Sequence, residues 1–190
     1  LGKLYLRLGD PMRARAMADL ADRLADQEPP VAMRVNLELL RGRIALRECR
    51  YGEAHDRLET ARQTAAAAGQ TERELRALLD LAALHLEQSR PEDALALLVE
   101  QIGNRGQAAL RLRGLLLWAR VEIALGQPDS AKSRLAEALE LAEELPDPEA
   151  TWRVRLLMAQ VAQAQGRSAE ARRLVREAGE GEARVRRHVP

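Results

Sequence analysis

The chain has 190 residues, and its 34 alanines and 33 leucines contrast with only 16 Val, Ile and Thr residues and four aromatics. Strands are built from β-branched and aromatic residues, so this composition excludes a substantial β-sheet and predicts an all-α protein. The net charge is only +1, so the chain has no excess of basic charge. The sequence has no apolar run of about 18 residues that would span a membrane, and its single cysteine excludes an internal disulfide. We expect a cytoplasmic protein.

Ten helices are predicted, separated by short turns that make neighbouring helices antiparallel. Gly-Asp-Pro, Ser-Arg-Pro and Gly-Gln-Pro turns each end one helix and place proline at the first position of the next. The breaks between the repeated units are predicted at Glu28-Pro29-Pro30, Gly69, Gly103 to Gly106, and Pro146-Asp147-Pro148. The predicted spans are 1–8, 11–27, 31–48, 51–68, 70–88, 91–102, 105–125, 128–145, 149–165 and 168–178.

A pattern of small residues recurs along the chain with a spacing of about 40 residues. Small residues at matching places on two helices let the backbones approach to about 8 Å. The pattern predicts five hairpins of a helix A and a helix B, in units of about 1–29, 30–69, 70–104, 105–146 and 147–178. On helix B the pattern begins with an alanine, which we name the leading alanine of each unit: Ala14, Ala54, Ala94, Ala131 and Ala171. The small residues of the turns are Gly9, Cys49, Ser89, Gly126 and Gly166. The small residues of helix A are Gly2, Gly42, Ala82, Ala119 and Ala159.

These residues resemble the tetratricopeptide repeat over about residues 1–178. The first unit carries the likeness best, with Leu1-Gly2, Tyr5, Gly9, Ala14, Ala18 and Ala21. The longer spacing resembles the repeats of large bacterial regulators of the maltose-activator and LuxR-like type. The resemblance implies a right-handed superhelical α-solenoid, without catalytic activity, that binds a protein, a peptide or a small effector for a larger signalling or transcription-regulatory protein.

Both ends of the sequence carry an expectation. Leu1 lies inside what should be a helix of about 18 residues, so we expect further repeats or an effector domain upstream. A first helix without its neighbour would also expose an apolar face capable of self-association. At the other end, Gly179-Glu180-Gly181 is expected to stop the last helix, leaving residues 179–190 as a tail or a cap.

Charge separates between the two helix layers. The predicted helices A carry a net charge of +6 and the predicted helices B a net charge of −6, which predicts a basic groove for an acidic or extended partner. Two alternatives stay open: 28 arginines against 2 lysines would scatter arginine over any surface, and the leucines of the groove also fit core positions. The candidate partner-binding residues are Asn36, Leu39, Arg43, Arg47, Arg76, Leu79, Arg113, Leu116, Arg120, Arg153 and Leu156.

Catalytic chemistry finds no support in the sequence. Nucleophile-elbow, P-loop, zincin and di-iron patterns are all missing, and the scattered His55, His85 and His188 do not form a metal-ligand pattern. We therefore expect no enzyme activity, no cofactor and no metal within these residues. An RNA-binding helical repeat is the alternative function, disfavoured by the shortage of aromatics for base stacking.

Overall fold

A computed structural model of the chain describes residues 1–24, 29–102, 106–145 and 148–188, without the side chains of 7, 101, 102, 148 and 181–188. All regular structure in these residues is helical, which confirms the all-α prediction. The predicted breaks at Glu28, at Gly103 and at Pro146-Asp147 lie outside the described residues. None of the described helices combines the length and apolarity needed to cross a membrane.

The described helices follow the predicted order, and their ends agree with the predicted spans to within one turn as far as residue 164. A π-helical segment, Leu98–Ile102, continues the sixth helix. The helices are α1 (Gly2–Arg7), α2 (Pro11–Leu24), α3 (Val31–Arg47), α4 (Tyr51–Ala67), α5 (Thr71–Glu87), α6 (Pro91–Leu97), α7 (Ala108–Ala124), α8 (Pro128–Glu144), α9 (Pro148–Ala164) and α10 (Ser168–His188).

The expected stop at the C-terminal glycines is wrong. Helix α10 runs without interruption from Ser168 to His188. A glycine within a helix costs only about 1 kcal/mol relative to alanine, and the residues beside Gly179 and Gly181 are mostly good helix formers such as Glu180. Two glycines without a proline are therefore too weak a signal to end this helix.

All five hairpin turns share one geometry. The predicted turn residues have positive φ angles between 57° at Cys49 and 75° at Gly9. The amide that follows each turn residue donates to a carbonyl five positions earlier, as from Asp10 to Tyr5 at 2.9 Å. This is the bond that closes a Schellman-type helix end, and it turns each helix A back on its helix B.

The chain forms two compact units, Leu1–Ile102 and Gly103–Pro190. In the first unit, α3 contacts both α1 and α5, so its three helices A are neighbours. In the second unit, α9 contacts α7, α8 and α10. Within each unit, side chains on successive helices A therefore come close together although about 40 residues separate them in sequence.

Successive hairpins within a unit meet through one recurring pair of apolar residues, which we name the junction pair. Its first member lies on helix B, four positions after the leading alanine, and its second lies on the next helix A, two positions after the small residue. Both members of each pair are buried in the same core cluster. The pairs are Ala18 with Ile44, Leu58 with Leu84, and Leu135 with Val161.

Gly42 shows why helix A carries a small residue beside the junction. A Cβ atom added at Gly42 would lie 2.7 Å from Cγ and Cδ2 of Leu58, the junction residue of the same hairpin. A Cβ atom at Gly52, by contrast, would meet nothing within 4 Å. The close approach of α3 and α4 therefore depends on the missing side chain at Gly42.

We expect Gly42→Ala to destabilise the first unit, because overpacking a filled site costs about 1–3 kcal/mol. The matched change Gly52→Ala should stabilise it by up to about 1 kcal/mol, since alanine is the better helix former and has open space at that position. Urea unfolding followed by circular dichroism measures both changes. Equal effects of the two substitutions would contradict the close packing of α3 on α4.

Candidate functional site

The predicted groove has its clearest centre in the first unit, where one buried carboxylate lies among cations. The residue Asp80 on α5 is only 3% exposed. Its Oδ2 accepts a hydrogen bond of 2.7 Å from Nε of Arg43 on α3. A buried charge is tolerated only with such a partner, so Arg43 is fixed in place by Asp80 and links two neighbouring helices A.

Further cations lie around this pair. Lys3 on α1 has a lowered pKa, because its ammonium group is partly buried. The positive charges of Arg43, Arg76 and Arg73 lower that pKa further. The carboxylate of Asp80 acts in the opposite direction. We name these four cations, Lys3, Arg43, Arg73 and Arg76, the basic cluster. They come from three helices, and only the layered hairpins bring them together.

The polar atoms of the cluster are incompletely paired within the described residues. Nε of Arg73 is buried and has no hydrogen-bond partner there, and the same holds for Oδ1 of Asn36. Nη2 of Arg76 lies 3.8 Å from Oε2 of Glu72, one turn away on the same helix. Asn36 is not a member of the cluster, and both unpaired atoms are enclosed by the protein, so a partner does not reach them in this arrangement.

Sequence analysis missed Arg73 and Asp80, although the repeat register contained the signal for both. Asp80 occupies a position that is leucine in the units before and after it, at Leu40 and Leu117. Arg73 occupies a position that holds Met33 one unit earlier. Two charged residues that replace apolar ones on a single helix distinguish this unit from its neighbours.

The leucine row needs a correction. Leu39 and Leu79 are each only 1% exposed and belong to the core, so a partner cannot contact them in this structure. Leu116 is half-buried, and Leu156 is 37% exposed. Leu39 and Leu79 thus pack against neighbouring helices, in agreement with the alternative that these leucines are core residues. Among the four leucines, only Leu156 in the last hairpin is exposed.

The remaining basic candidates are less concentrated. Arg47 in the first unit and Arg120 in the second are exposed, while Arg113 is half-buried. Arg153 is half-buried, forms an ion pair with Glu149 one turn earlier and lies 5.6 Å from the ring centroid of Trp152. Because Glu149 partly neutralises the charge of Arg153 and the ring of Trp152 lies beside its guanidinium, Arg153 contributes less to an open basic surface than the sequence predicted.

The histidines show no shared site. His55 is exposed on α4, whereas His85 is half-buried on α5, where burial lowers its pKa and the charge of Arg90 lowers it further. The side chain of His188 lies outside the described residues. Within the described part of the chain, no three His, Cys, Asp or Glu side chains are grouped as metal ligands would be.

The second unit contains a buried carboxylate of its own. Glu122 on α7 is 4% exposed, and its Oε1 lies 3.5 Å from Nε of Arg134 on α8. The guanidinium of Arg134 also lies 4.0 Å from the ring centroid of Trp118. Burial raises the pKa of Glu122, and the charge of Arg134 only partly offsets this. Glu122 stands where the first unit has Tyr5.

We expect Glu122→Gln to gain stability relative to the unchanged chain as the pH rises. Because its pKa is raised in the folded state, the folded state binds this proton more tightly than the unfolded chain does. The resulting penalty is absent below the ordinary pKa of 4.5 and grows as the pH rises through the higher value. Urea unfolding from acid to neutral pH measures the difference between the two proteins.

The control for this prediction is Glu137→Gln on α8. Glu137 is more exposed than Glu122 and lies 3.7 Å from Arg111, so this variant separates the effect of burial at Glu122 from the effect of removing one negative charge. A stability difference for Glu122→Gln that is constant across the pH range would show that the carboxyl titrates alike in the folded and unfolded states.

Comparison with known proteins supports the class of fold. The tetratricopeptide repeat family matches residues 110–179, which extend from α7 into α10. This match lies in the last two hairpins, whereas the residue-by-residue likeness is fullest in the first. No curated protein matches the sequence. The chain therefore carries tetratricopeptide-like repeats, and the resemblance to that repeat is confirmed.

Solved structures extend this likeness over the whole chain. BtubC (BKLC) from P. vanneervenii is 18% identical with a TM-score of 0.67, and the match covers 100% of this chain and 80% of that one. A variant of a Podosopora anserina putative kinesin light chain with nearly identical TPR-like repeats is 19% identical with a TM-score of 0.62, covering 98% and 93%. At these identities the likeness shows the fold alone.

Proposed function

We propose that this protein is a non-catalytic interaction scaffold that binds an acidic, extended protein segment on the helix-A layer of its first unit. The observation that carries the proposal is the basic cluster, in which α1, α3 and α5 each contribute at least one cation beside a single buried aspartate. Tetratricopeptide-like repeats commonly present such a layer to partner proteins, and the chemistry of the layer selects the partner.

Acidic chemistry fits the cluster better than any other. Arg73 and Arg76 lie one turn apart on α5, and arginine binds carboxylates through paired hydrogen bonds. The side chain of Arg76 is 35% exposed and is open to such a contact. An extended segment with repeated Asp or Glu residues would satisfy these groups in sequence.

The test uses two labelled peptides of equal length, oligoglutamate and oligoglutamine, with fluorescence anisotropy as the readout. We expect oligoglutamate alone to bind, with an affinity that falls as salt is added. Arg76→Glu should weaken its binding at least about fivefold, equivalent to about 1 kcal/mol, because the substitution replaces an attraction with a repulsion. Circular dichroism should show unchanged helicity, since the Arg76 side chain is 35% exposed.

The control variant is Arg23→Glu on α2, which makes the same charge change at an exposed position on a helix B. It should leave oligoglutamate binding nearly unchanged. Equal losses from the two variants would mean that net charge alone drives binding and would contradict a defined site. Tighter binding of a mixed-sequence single-stranded RNA than of oligoglutamate would instead favour the RNA-binding alternative.

The setting of this scaffold belongs to the same proposal. The 40-residue spacing supports a repeat region within a larger bacterial regulator, where the acidic segment or a small effector would control a neighbouring domain. The lone Cys49, which is exposed and free, fits a reducing cytoplasm. Arg113, Arg120 and Arg153 belong to the second unit and lie outside the proposed site.

A further inference from the structure

The basic cluster concentrates its charge in one place on the helix-A layer. The pKa of the Lys3 ammonium is lowered by its burial and, beyond that, by the charges of the three arginines of the cluster. One of these arginines lies on α3 and two lie on α5, and α3 contacts both α1 and α5. Four cations from three neighbouring helices therefore act on the same small region.

Close packing of α1 on α3 fixes where Lys3 stands. A Cβ atom added at Gly2, the residue before Lys3, would lie 2.6 Å from Cδ2 of Leu40 on α3. Arg43 follows Leu40 by three positions and so lies on the same face of α3, about one turn further along. The 2.7 Å hydrogen bond from Nε of Arg43 to Oδ2 of Asp80 then joins this face to α5. Backbone packing and one buried hydrogen bond thus set the positions of these cations.

The carboxylates described beside the cluster leave it positively charged. Asp80 accepts the hydrogen bond of Arg43. Glu72 lies 3.8 Å from Arg76. Four cations with these two carboxylates carry a net charge of +2. A phosphate monoester carries a charge of about −1.5 to −2 at pH 7 on one group with three acceptor oxygens, so a single phosphate matches the charge of the cluster.

Single carboxylates use this convergence only in part. Side chains on one face of an extended segment are about 7 Å apart, so two glutamates present two single charges at separate places. A phosphate brings both charges to one point and binds arginine through paired hydrogen bonds. Arg43 and Arg76 are open to such a contact, with 24% and 35% of their side chains exposed. Arg73, whose Nε is enclosed by the protein, adds positive charge beside them.

We propose that the basic cluster is a phosphate-binding site and that the acidic segment bound there carries a phosphoserine or phosphothreonine residue. This inference rests on the proposed function, because it names the group that the same site selects in that segment. The phosphate accepts hydrogen bonds from the terminal Nη groups of Arg43 and Arg76 and from Nζ of Lys3. Phosphorylation of the partner therefore controls its binding.

The test compares three labelled peptides of equal length, in a glycine and serine background, by fluorescence anisotropy with the purified 190-residue chain. One peptide has a central phosphoserine, one has two adjacent glutamates and hence a similar charge, and one has an unmodified serine. We expect the phosphoserine peptide to bind at least about tenfold more tightly than the two-glutamate peptide. The serine peptide should not bind. Inorganic phosphate should displace the phosphoserine peptide only at concentrations far above those at which the unlabelled peptide does.

The pH dependence separates a dianion from single charges. A phosphate monoester loses its second proton near pH 6, whereas glutamate loses its proton near pH 4. Because both peptides meet the same protein, titration of the protein's own groups affects them alike. The ratio of the two affinities should therefore rise from about pH 5 to about pH 7. A constant ratio would contradict recognition of the phosphate dianion.

Two substitutions at the cluster should shift the affinity for the phosphoserine peptide in opposite directions. Lys3→Gln should weaken binding at least about fivefold, because it removes one cation that contacts the phosphate. Glu72→Gln should strengthen binding about twofold or more, because it removes the negative charge beside Arg76. A gain in affinity cannot arise from unfolding. The control is Lys132→Gln on α8, which removes the other lysine of the chain and should leave the affinity unchanged.

The outcomes distinguish this proposal from the proposed function. Equal binding of the phosphoserine and two-glutamate peptides would overturn the phosphate site and leave the acidic-segment scaffold intact. Tight binding of the phosphoserine peptide without any binding of oligoglutamate would support the phosphate site and restrict the scaffold to phosphorylated partners. Displacement by inorganic phosphate as effective as that by the unlabelled peptide would contradict a peptide ligand. Binding of none of the acidic peptides would overturn both proposals.

Discussion

The structure depends on the contact between the apolar residue of one helix B and the helix A of the next hairpin. An isolated helix of this length is marginally stable in water. Full burial of one leucine contributes about 1.5–3 kcal/mol, and Leu58 and Leu135 are each completely buried at such a contact. The small residues on both helices, such as Gly42 and Ala54, allow the close approach that makes the burial possible.

This packing also produces the basic cluster. Stacking in a fixed register places the same helix position of α1, α3 and α5 side by side, so Lys3 and Arg43 become neighbours across 40 residues of sequence. Asp80 then has two roles: it offsets the repulsion among the cations, and it holds the guanidinium of Arg43 in one orientation. A preorganised cation costs less entropy to bind than a mobile one. The candidate site is thus a consequence of the repeat.

The sequence predicted the helices well because proline and small turn residues recur at fixed places, and in the structure each of these turn residues has a positive φ that ends one helix. It failed at α10, where two glycines are too weak to end a helix with favourable neighbours. The candidate site was harder to predict. The sequence spacing around Leu39 is the same whether its side chain contacts a partner or the next helix A. Only the three-dimensional packing shows which of the two it contacts. Asp80 required a comparison between repeat rows.

The central claim is that each hairpin is stabilised by its neighbour through the junction pair. Native-state hydrogen exchange of Leu58→Ala tests it most directly, since the substitution removes the helix-B half of one pair and should cost about 2–5 kcal/mol. The account predicts that amide protection falls together in α3, α4 and α5, because α5 loses its support across the junction. Protection lost in α3 and α4 but retained in α5 would contradict it.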